Sequence, residues 1–185
     1  MSKDDPRPRV VFDCMIFLQA TASESGPAAA LLRLVDRNVV SLFVSREIVD
    51  EVRDVLSRSK VRKKNADITS ERVDALITRV SEKATIVDAV PQQFNYERDP
   101  RDEKYINLAI EVEADYLISR DQDLLDLMTG YADECKDFRR RFRSLKVIGL
   151  VEFLKSVDLK ESNEQDRPRV RLRHSNLLSL HKRKR

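Results

Sequence analysis

The sequence predicts an α/β fold of three layers, in which helices cover both faces of a central, mostly parallel sheet of about five strands. Two observations lead to this prediction. Short apolar segments that read as strands alternate with longer segments of helical periodicity, as in sheets built from strand–helix–strand units. The chain has 185 residues, 41% of them hydrophobic, which suits one domain with its own core plus an appendage.

The strands are predicted where apolar residues form short runs. They are residues 9–13, 39–44, 84–88, 115–119 and 145–148. In open parallel sheets the functional site lies outside the carboxyl ends of the strands. The residues that directly follow each strand are therefore the first candidates for a site.

Periodicity and capping residues place the helices between these strands. We predict a helix-rich stretch through about residue 37, broken near Ser25-Gly26-Pro27, helices at about 45–57, 69–82, 101–113 and 149–156, and loops at 58–68 and 89–99. Ser45 and Thr69 are the predicted N-caps of two helices. We assign residues 1–156 to the domain and residues 157–185 to a basic C-terminal tail that is flexible or binds a partner.

Scarce residues exclude several classes of function. With three glycines, the chain can form neither a P-loop nor a G-x-G-x-x-G turn. Both histidines, His174 and His181, lie in the tail, so the domain has no Ser-His-Asp triad and no His-ligated zinc. Cys14 and Cys135 lie far apart, which indicates a reducing compartment. No apolar run is long enough for a membrane helix, and we expect a cytoplasmic protein. An enzyme of this composition would use carboxylates, with a metal.

Acidic residues follow the strands and face the predicted core. Asp13 ends the first strand, while Asp121 and Asp123 follow the fourth. Glu51 lies at the border of the apolar stripe of its helix, and Asp102 shares a helix face with apolar residues three, four and seven positions later. We expect these acids to converge if the first and fourth strands are neighbours. Asp13, Asp102 and Asp121 could instead be helix caps or turn residues, and capping does not exclude metal binding. Glu51 could be a surface glutamate, and Asp123 an ordinary acid in the first turn of a helix.

Converging carboxylates repel one another, and a divalent cation removes that cost. Oxygen ligands of this kind select Mg²⁺ or Mn²⁺, which can activate a water and stabilise the leaving oxygen of a phosphodiester. We therefore predict a catalytic set of Asp13, Glu51, Asp102 and Asp121, with Asp13, Asp102, Asp121 and Asp123 as the metal ligands.

Four segments, taken in order, carry a family resemblance: Val10-Val11-Phe12-Asp13, residues 45–52 (SREIVDEV), residues 99–105 (DPRDEKY) and residues 114–125 (ADYLISRDQDLL). Over roughly residues 9–155 the chain resembles a PIN domain. It is most similar to the branch described as toxins of toxin–antitoxin systems, and more distantly to VapC-type toxins. The resemblance implies a metal-dependent ribonuclease whose acidic quartet is Asp13, Glu51, Asp102 and Asp121. It makes Asp123 a frequent extra acid and gives Ser119 the position of a small supporting hydroxyl.

The chain departs from the family pattern directly after the first acid. The family usually has Thr or Ser and then Asn there, whereas this sequence has Cys14 and Met15. The segment 128–144 is also longer than the family pattern leads us to expect. The missing polar pair favours a weaker enzyme or an inactive module.

Basic clusters indicate a polyphosphate partner. The candidate RNA-binding residues are Arg58, Lys60, Lys63, Lys64, Arg139, Arg140, Arg141 and Arg143, with Phe138 and Phe142 interleaved in the second cluster. A solvated surface explains any single cluster equally well.

Two hypotheses follow. The first is an endoribonuclease that prefers single-stranded RNA, leaves 5′-phosphate and 3′-hydroxyl ends, and forms a toxin–antitoxin pair with a cognate antitoxin, with a homodimer as a further expectation. The second is a PIN-like RNA-binding or scaffold module with little or no turnover. A flap-type DNA nuclease ranks last, because the chain lacks the long insertions expected there.

Overall fold

The computed structural model describes residues 6–165, with side chains described through residue 157. The strands are β1 Arg9–Phe12, β2 Ser41–Ser45, β3 Thr85–Val87, β4 Tyr116–Ser119 and β5 Lys146–Gly149. The helices are α1 Cys14–Ala22, α2 Pro27–Asp36, α3 Arg46–Ser57, α4 Ser59–Lys64, α5 Ser70–Lys83, α6 Glu103–Glu111, α7 Gln122–Thr129, α8 Asp133–Arg141 and α9 Leu150–Gln165, and a single 3-10 turn covers Pro100–Asp102.

The five strands form one parallel sheet in the order β3-β2-β1-β4-β5. This arrangement, with helices against the sheet, confirms the predicted fold class. The chain moves outward from β1 to β3 and then returns to the other side of β1 to form β4. Phe12 pairs with Ile118 where these two strands meet. The strand order therefore reverses between β1 and β4. This topological switch point is where open α/β sheets place their sites.

The core lies between the sheet and its helices. Val10, Val11 and Phe12 are fully buried, as are Leu117 and Ile118 of β4. Strands buried on both faces are continuously apolar, which explains why these short segments were predictable. Helix α6 packs against β1, β2 and β4, while α1 packs against α2, α3 and α5.

Side-chain caps fix where two helices begin. Ser45 Oγ accepts a hydrogen bond from the Ile48 amide at 3.2 Å, and Thr69 Oγ1 accepts one from the Arg72 amide at 3.3 Å. Each cap satisfies an amide that has no partner inside its helix. Both predicted N-caps are confirmed.

Three segments differ from the sequence-based expectation. The predicted loop 58–68 contains the short helix α4, and the long segment 128–144 contains α8. The predicted helix at 101–113 begins instead as the 3-10 turn and continues as α6. Helices of one or two turns carry too few residues to establish a periodic pattern.

The C-terminal helix α9 continues to Gln165, past the predicted domain end at residue 156. The rest of the predicted tail, residues 166–185 with both histidines, lies outside the described residues. Within residues 6–165, none of the helices is long and apolar enough to cross a membrane.

Candidate active site

Asp13 and Asp121 begin helices directly after adjacent strands. Asp13 Oδ1 accepts a hydrogen bond from the Ile16 amide at 2.9 Å and so caps α1. Asp121 Oδ1 accepts one from the Asp123 amide at 2.9 Å and caps α7. Capping fixes both carboxylates at the carboxyl edge of the sheet, since β1 and β4 are neighbours.

Ser119 links these two acidic segments. Its hydroxyl donates a hydrogen bond to Asp13 Oδ2, which also accepts one from the Arg120 amide at 3.2 Å. Ser119 Oγ in turn accepts a hydrogen bond from the Asp121 amide at 2.8 Å. Asp13 is only 3% exposed. Burial raises the pKa of Asp13, and the hydrogen bonds from Ser119 and the backbone partly offset that rise.

Asp102 is the residue whose carboxylate is buried with an unpaired oxygen among the described residues. It is the last residue of the 3-10 turn and holds the N-cap position of α6, yet its side chain makes no capping hydrogen bond to α6. The turn is capped by Asp99. Its Oδ2 atom is buried without a hydrogen-bond partner. Burial raises the pKa of Asp102 to about 7, with further contributions from the negative charges of Asp121, Asp99 and Asp13. Capping therefore does not account for this residue.

Glu51 is held by two side chains that the sequence analysis did not predict. The Tyr105 hydroxyl donates a hydrogen bond to Glu51 Oε2, and Lys104 Nζ lies 3.3 Å from Glu51 Oε1. Both partners belong to α6, so these contacts join α3 to α6. Lys104 and Tyr105 do lie within the segment 99–105 that carries the family resemblance, which is the one sequence signal that could have drawn attention to them.

The four predicted catalytic acids line one cavity of about 280 Å³. The cavity is lined by Asp13, Cys14, Met15, Glu51, Val55, Arg58, Asp99, Arg101, Asp102, Tyr105 and Asp121. The structure therefore brings together Asp13, Glu51, Asp102 and Asp121 around one cavity, as the sequence predicted. Their catalytic roles remain predictions.

Two uncharged side chains next to Asp13 also line this cavity. Burial raises the pKa of the Cys14 thiol to about 12, with smaller contributions from Glu51 and Asp13, so the thiol is neutral near pH 7. Met15 is 44% exposed. Neither side chain supplies the hydroxyl or amide that the family usually has here.

Asp123 is the predicted ligand that the structure does not bring to the cavity. Its Oδ1 lies 2.6 Å from an Arg98 guanidinium nitrogen, and it is absent from the cavity lining. Arg98 also binds Asp126 at 2.7 Å. Asp123 is thus part of an ion-pair network on α7, which the sequence could not indicate because Arg98 lies in a distant loop.

The chemistry of the cavity fits a hard divalent cation. Its charged donors are carboxylate oxygens, the ligands that Mg²⁺ and Mn²⁺ prefer. The unpaired Asp102 oxygen and the burial that raises the pKa values of Asp13 and Asp102 are costs that a cation would offset. Within residues 6–157, however, no three His, Cys, Asp or Glu side chains form a compact metal-binding group. The carboxylates would have to move together to share one ion.

The two basic clusters differ in how their charges are used. In α8, Arg139 donates to the carbonyls of Leu127 and Gly130, and Arg140 and Arg141 both pair with Asp137. Arg143 makes only a long 3.4 Å contact with the Arg140 carbonyl. Most of this cluster therefore holds the local structure together.

The aromatic residues of that cluster pack against Phe94. Phe138 is fully buried and packs edge-on against Phe94, with ring centroids 5.3 Å apart. Phe142 packs against the same ring at 6.0 Å. Phe138 is thus a core residue, while Phe142 is half-buried with the Arg141 guanidinium 4.8 Å from its ring centroid. The nucleic-acid role of this cluster stays a prediction.

The α4 cluster lies beside the cavity and keeps most of its charge available. Arg58 lines the cavity and pairs with Asp54 at 2.6 Å. The next lysines, Lys60, Lys63 and Lys64, are exposed and have no hydrogen bond or ion pair with the described residues. Their spacing of three and four positions places them on one helix face.

Fold and site together define a class of protein: a parallel α/β domain with a carboxylate-lined cavity at the topological switch point of its sheet. The sequence matches the PIN domain family over residues 9–123, more than half of the chain, and the chain belongs to that family. PIN domains are generally nucleases that bind divalent metal ions. The chain is also 28% identical over 150 residues to the uncharacterized protein MJ1680 of Methanocaldococcus jannaschii, an alignment that covers 81% of this chain and 92% of that protein.

Proposed function

We propose that this protein is a metal-dependent endoribonuclease of the PIN type, which hydrolyses single-stranded RNA with Mg²⁺ or Mn²⁺. The observation that carries the proposal is the single cavity lined by Asp13, Glu51, Asp102 and Asp121, in which one buried Asp102 oxygen has no partner. Four acids at a sheet switch point, in a described region (residues 6–165) whose sequence contains no histidine, suit cation-assisted attack on a phosphodiester better than acid–base chemistry by imidazole.

Asp13, Asp102 and Asp121 would hold the cation, which when bound lowers the pKa of a water and neutralises charge on the phosphate. Ser119 keeps Asp13 in place through its hydroxyl. Glu51 stands across the same cavity with its carboxylate oriented by α6. It can accept a hydrogen bond from the attacking water. In-line attack by water on the phosphorus leaves a 5′-phosphate and a 3′-hydroxyl.

RNA is the proposed substrate because the exposed lysines of α4 follow directly on Arg58 at the cavity. Phosphate contacts by such side chains supply most of the sequence-independent affinity for a nucleic acid. Lys60, Lys63 and Lys64 on one face, next to the carboxylates, support a backbone path that leads into the site. The arginines of α8 support it less, since Asp137 and local carbonyls occupy most of them.

We extend the proposal to a toxin of a toxin–antitoxin pair acting in the cytoplasm. The family resemblance supports this role, and both cysteines are free thiols, as a reducing compartment would favour. An acidic cavity of this kind is complementary to an arginine of an inhibitor protein, through charge-assisted hydrogen bonds. Growth arrest on expression, relieved by Asp121→Asn or by a co-purifying small partner, is the expected result. Normal growth on expression of the active enzyme would exclude the toxin role.

Cys14 and Met15 favour a second candidate, an RNA-binding module with weak or no turnover. They line the cavity next to Asp13 and offer a phosphate or water only the weak hydrogen-bonding groups of a thiol and a thioether. This candidate predicts RNA binding that survives Asp13→Asn, with no cleavage by the wild type.

The test is cleavage of a 5′-labelled single-stranded RNA by purified protein with Mg²⁺, Mn²⁺ or EDTA, followed by analysis of the product ends. We expect cutting that requires the metal and leaves 5′-phosphate and 3′-hydroxyl ends. A 2′,3′-cyclic phosphate product, or cutting that persists in EDTA, would contradict the proposed mechanism.

A further inference from the structure

Glu51 is placed differently from the other acids of the cavity. Each of its carboxylate oxygens already has a partner, Lys104 for Oε1 and the Tyr105 hydroxyl for Oε2. By contrast, Asp102 Oδ2 has none. A carboxylate has about four acceptor sites, so each Glu51 oxygen can still accept one hydrogen bond from the cavity side. Glu51 is therefore suited to bind a water, and Asp102 to bind a cation directly.

Lys104 is well placed to keep Glu51 from acting as a metal ligand. Its side chain is only 16% exposed, and its ammonium lies 5.4 Å from the centroid of the Tyr105 ring. A cation that is screened from solvent interacts more strongly with a neighbouring carboxylate than a surface lysine does. Lys104 itself lines a second cavity, which shares Arg101 with the acidic one. Its charge acts on the acidic cavity through the contact with Glu51.

Tyr105, at the next position of α6, is the second side chain that holds the Glu51 carboxylate. Burial raises the pKa of its hydroxyl, and the hydrogen bond with Glu51 raises it further, so the hydroxyl is a donor at any working pH. The ring is buried in the core. The donor is consequently fixed in position by the packing of the ring.

We propose that, within the proposed hydrolysis, Lys104 is a positioning residue: its ammonium, with the Tyr105 hydroxyl, holds Glu51 outside the set of metal ligands and aims its carboxylate at the attacking water. The proposal assigns separate tasks to acids that the family resemblance treats as one quartet. Asp102 belongs to the ligands, and Glu51 acts on the water through a geometry set by Lys104.

The first test measures Mn²⁺ affinity by calorimetry on the full chain without RNA. Because Glu51 and Lys104 stand outside the ligand set, Glu51→Gln and Lys104→Gln should keep the Mn²⁺ affinity within about threefold of wild type. Asp102→Asn should lower it by about 10-fold or more, since it removes a ligand. A loss in Glu51→Gln equal to that in Asp102→Asn would overturn the proposal.

The second test separates kcat from KM in RNA cleavage. We expect Lys104→Gln and Tyr105→Phe to lower kcat by about 10- to 100-fold with KM nearly unchanged, and Lys104→Arg to recover part of the loss. The matched control is Lys83→Gln, an exposed lysine at the end of α5. Wild-type kcat in Lys104→Gln, or an equal loss in Lys83→Gln, would overturn the role of Lys104.

The two tests also separate this inference from the proposed function. If the wild type cuts no RNA, the ribonuclease proposal fails, while the Mn²⁺ titrations still decide whether Glu51 is a ligand. Thermal unfolding of each variant accompanies both tests. A Lys104→Gln protein that loses kcat in proportion to its loss of folded fraction would count against a positioning role.

Discussion

The Ser119 hydroxyl donates a hydrogen bond to Asp13 Oδ2 across the junction of β4 and β1, joining residues that are 106 positions apart in sequence. The same Ser119 oxygen accepts a hydrogen bond from the Asp121 amide at 2.8 Å. One buried side chain thus sets the relative position of two acids at the centre of the candidate site.

Ser119→Ala should therefore impair activity and stability together. It leaves Asp13 with one fewer donor and the Asp121 amide without its acceptor, at a cost of about 1–3 kcal/mol in unfolding free energy. We expect cleavage to fall by about 10- to 100-fold, as for other residues that orient ligands. Urea unfolding and kcat measurements check both parts.

Thr21→Val is the matched control for that variant. Thr21 is also buried, and its hydroxyl donates to the Phe17 carbonyl at 2.8 Å inside α1, away from the acids. The substitution removes one buried hydrogen bond and should leave kcat unchanged. If Ser119→Ala retained full activity, the link between β4 and β1 would have no part in catalysis.

The pH dependence of stability should reveal the cost of burying the Asp102 charge in the metal-free protein. The pKa of Asp102 is about 7 in the folded protein, against 3.8 for an ordinary Asp. A raised folded pKa means that the stabilising contribution is complete below about pH 4 and is lost as the pH rises through 7. Thermal unfolding in EDTA from pH 5 to 8 should therefore show falling stability.

Asp102→Asn should flatten that profile, because Asn carries no charge to bury. Adding Mn²⁺ should raise the unfolding temperature of the wild type above pH 7 and have little effect on Asp102→Asn. A variant profile as steep as that of the wild type would mean that another acid, such as Asp13, controls the pH dependence.

Sequence patterns predicted the sheet and its acidic edge well, for a physical reason. Buried parallel strands such as β1 and β4 are continuously apolar, and the residues that follow them meet at one edge of the sheet. Periodicity also placed Glu51 and Asp102 toward the interior. The contacts of Glu51 with Lys104 and Tyr105 were not predictable. The apolar pattern of one helix does not reveal which side chains of another helix contact it.

Charge runs were the least informative part of the sequence. Arg139 and Arg140 look the same as Lys60 and Lys63 in a composition count, yet the former have local partners and the latter have none among the described residues. Likewise, nothing near Asp123 in the sequence indicates that Arg98 binds it. Ion pairing depends on tertiary neighbours, so the structure was needed to tell the two clusters apart.

The α4 lysines should account for more RNA affinity than the α8 arginines. In an Asp121→Asn background that cannot cut, we expect Lys60→Gln/Lys63→Gln/Lys64→Gln to weaken binding and to reduce the salt slope of the affinity by about 2, at about 0.7 for each phosphate contact on a single strand. The matched variant Arg140→Gln/Arg141→Gln/Arg143→Gln also removes three positive charges and should have a smaller effect. Fluorescence anisotropy at several salt concentrations measures both.

An equal or larger loss in the α8 variant would place the RNA path along α8. Circular dichroism of the α4 variant serves as the folding control, since Gln and Lys have similar helix propensities.

Restoring the polar pair after Asp13 should raise turnover. Cys14→Thr with Met15→Asn returns a hydroxyl and an amide to the cavity wall, where both side chains already line the space. We expect kcat to rise by about 10-fold if these groups orient the phosphate or the water. The measurement is single-turnover cleavage with saturating Mn²⁺. A fall in kcat at unchanged stability would show that the present pair is adapted to this site.

The central claim is that the carboxylates of this cavity carry the chemistry, and matched Asp→Asn variants test it most directly. Single-turnover RNA cleavage in Mn²⁺ would compare Asp13→Asn, Asp102→Asn and Asp121→Asn with Asp133→Asn, whose side chain is fully exposed at the start of α8. The account predicts that the three cavity variants lose cleavage by at least about 100-fold while Asp133→Asn cuts like the wild type. Cavity variants that cut as well as Asp133→Asn would contradict it.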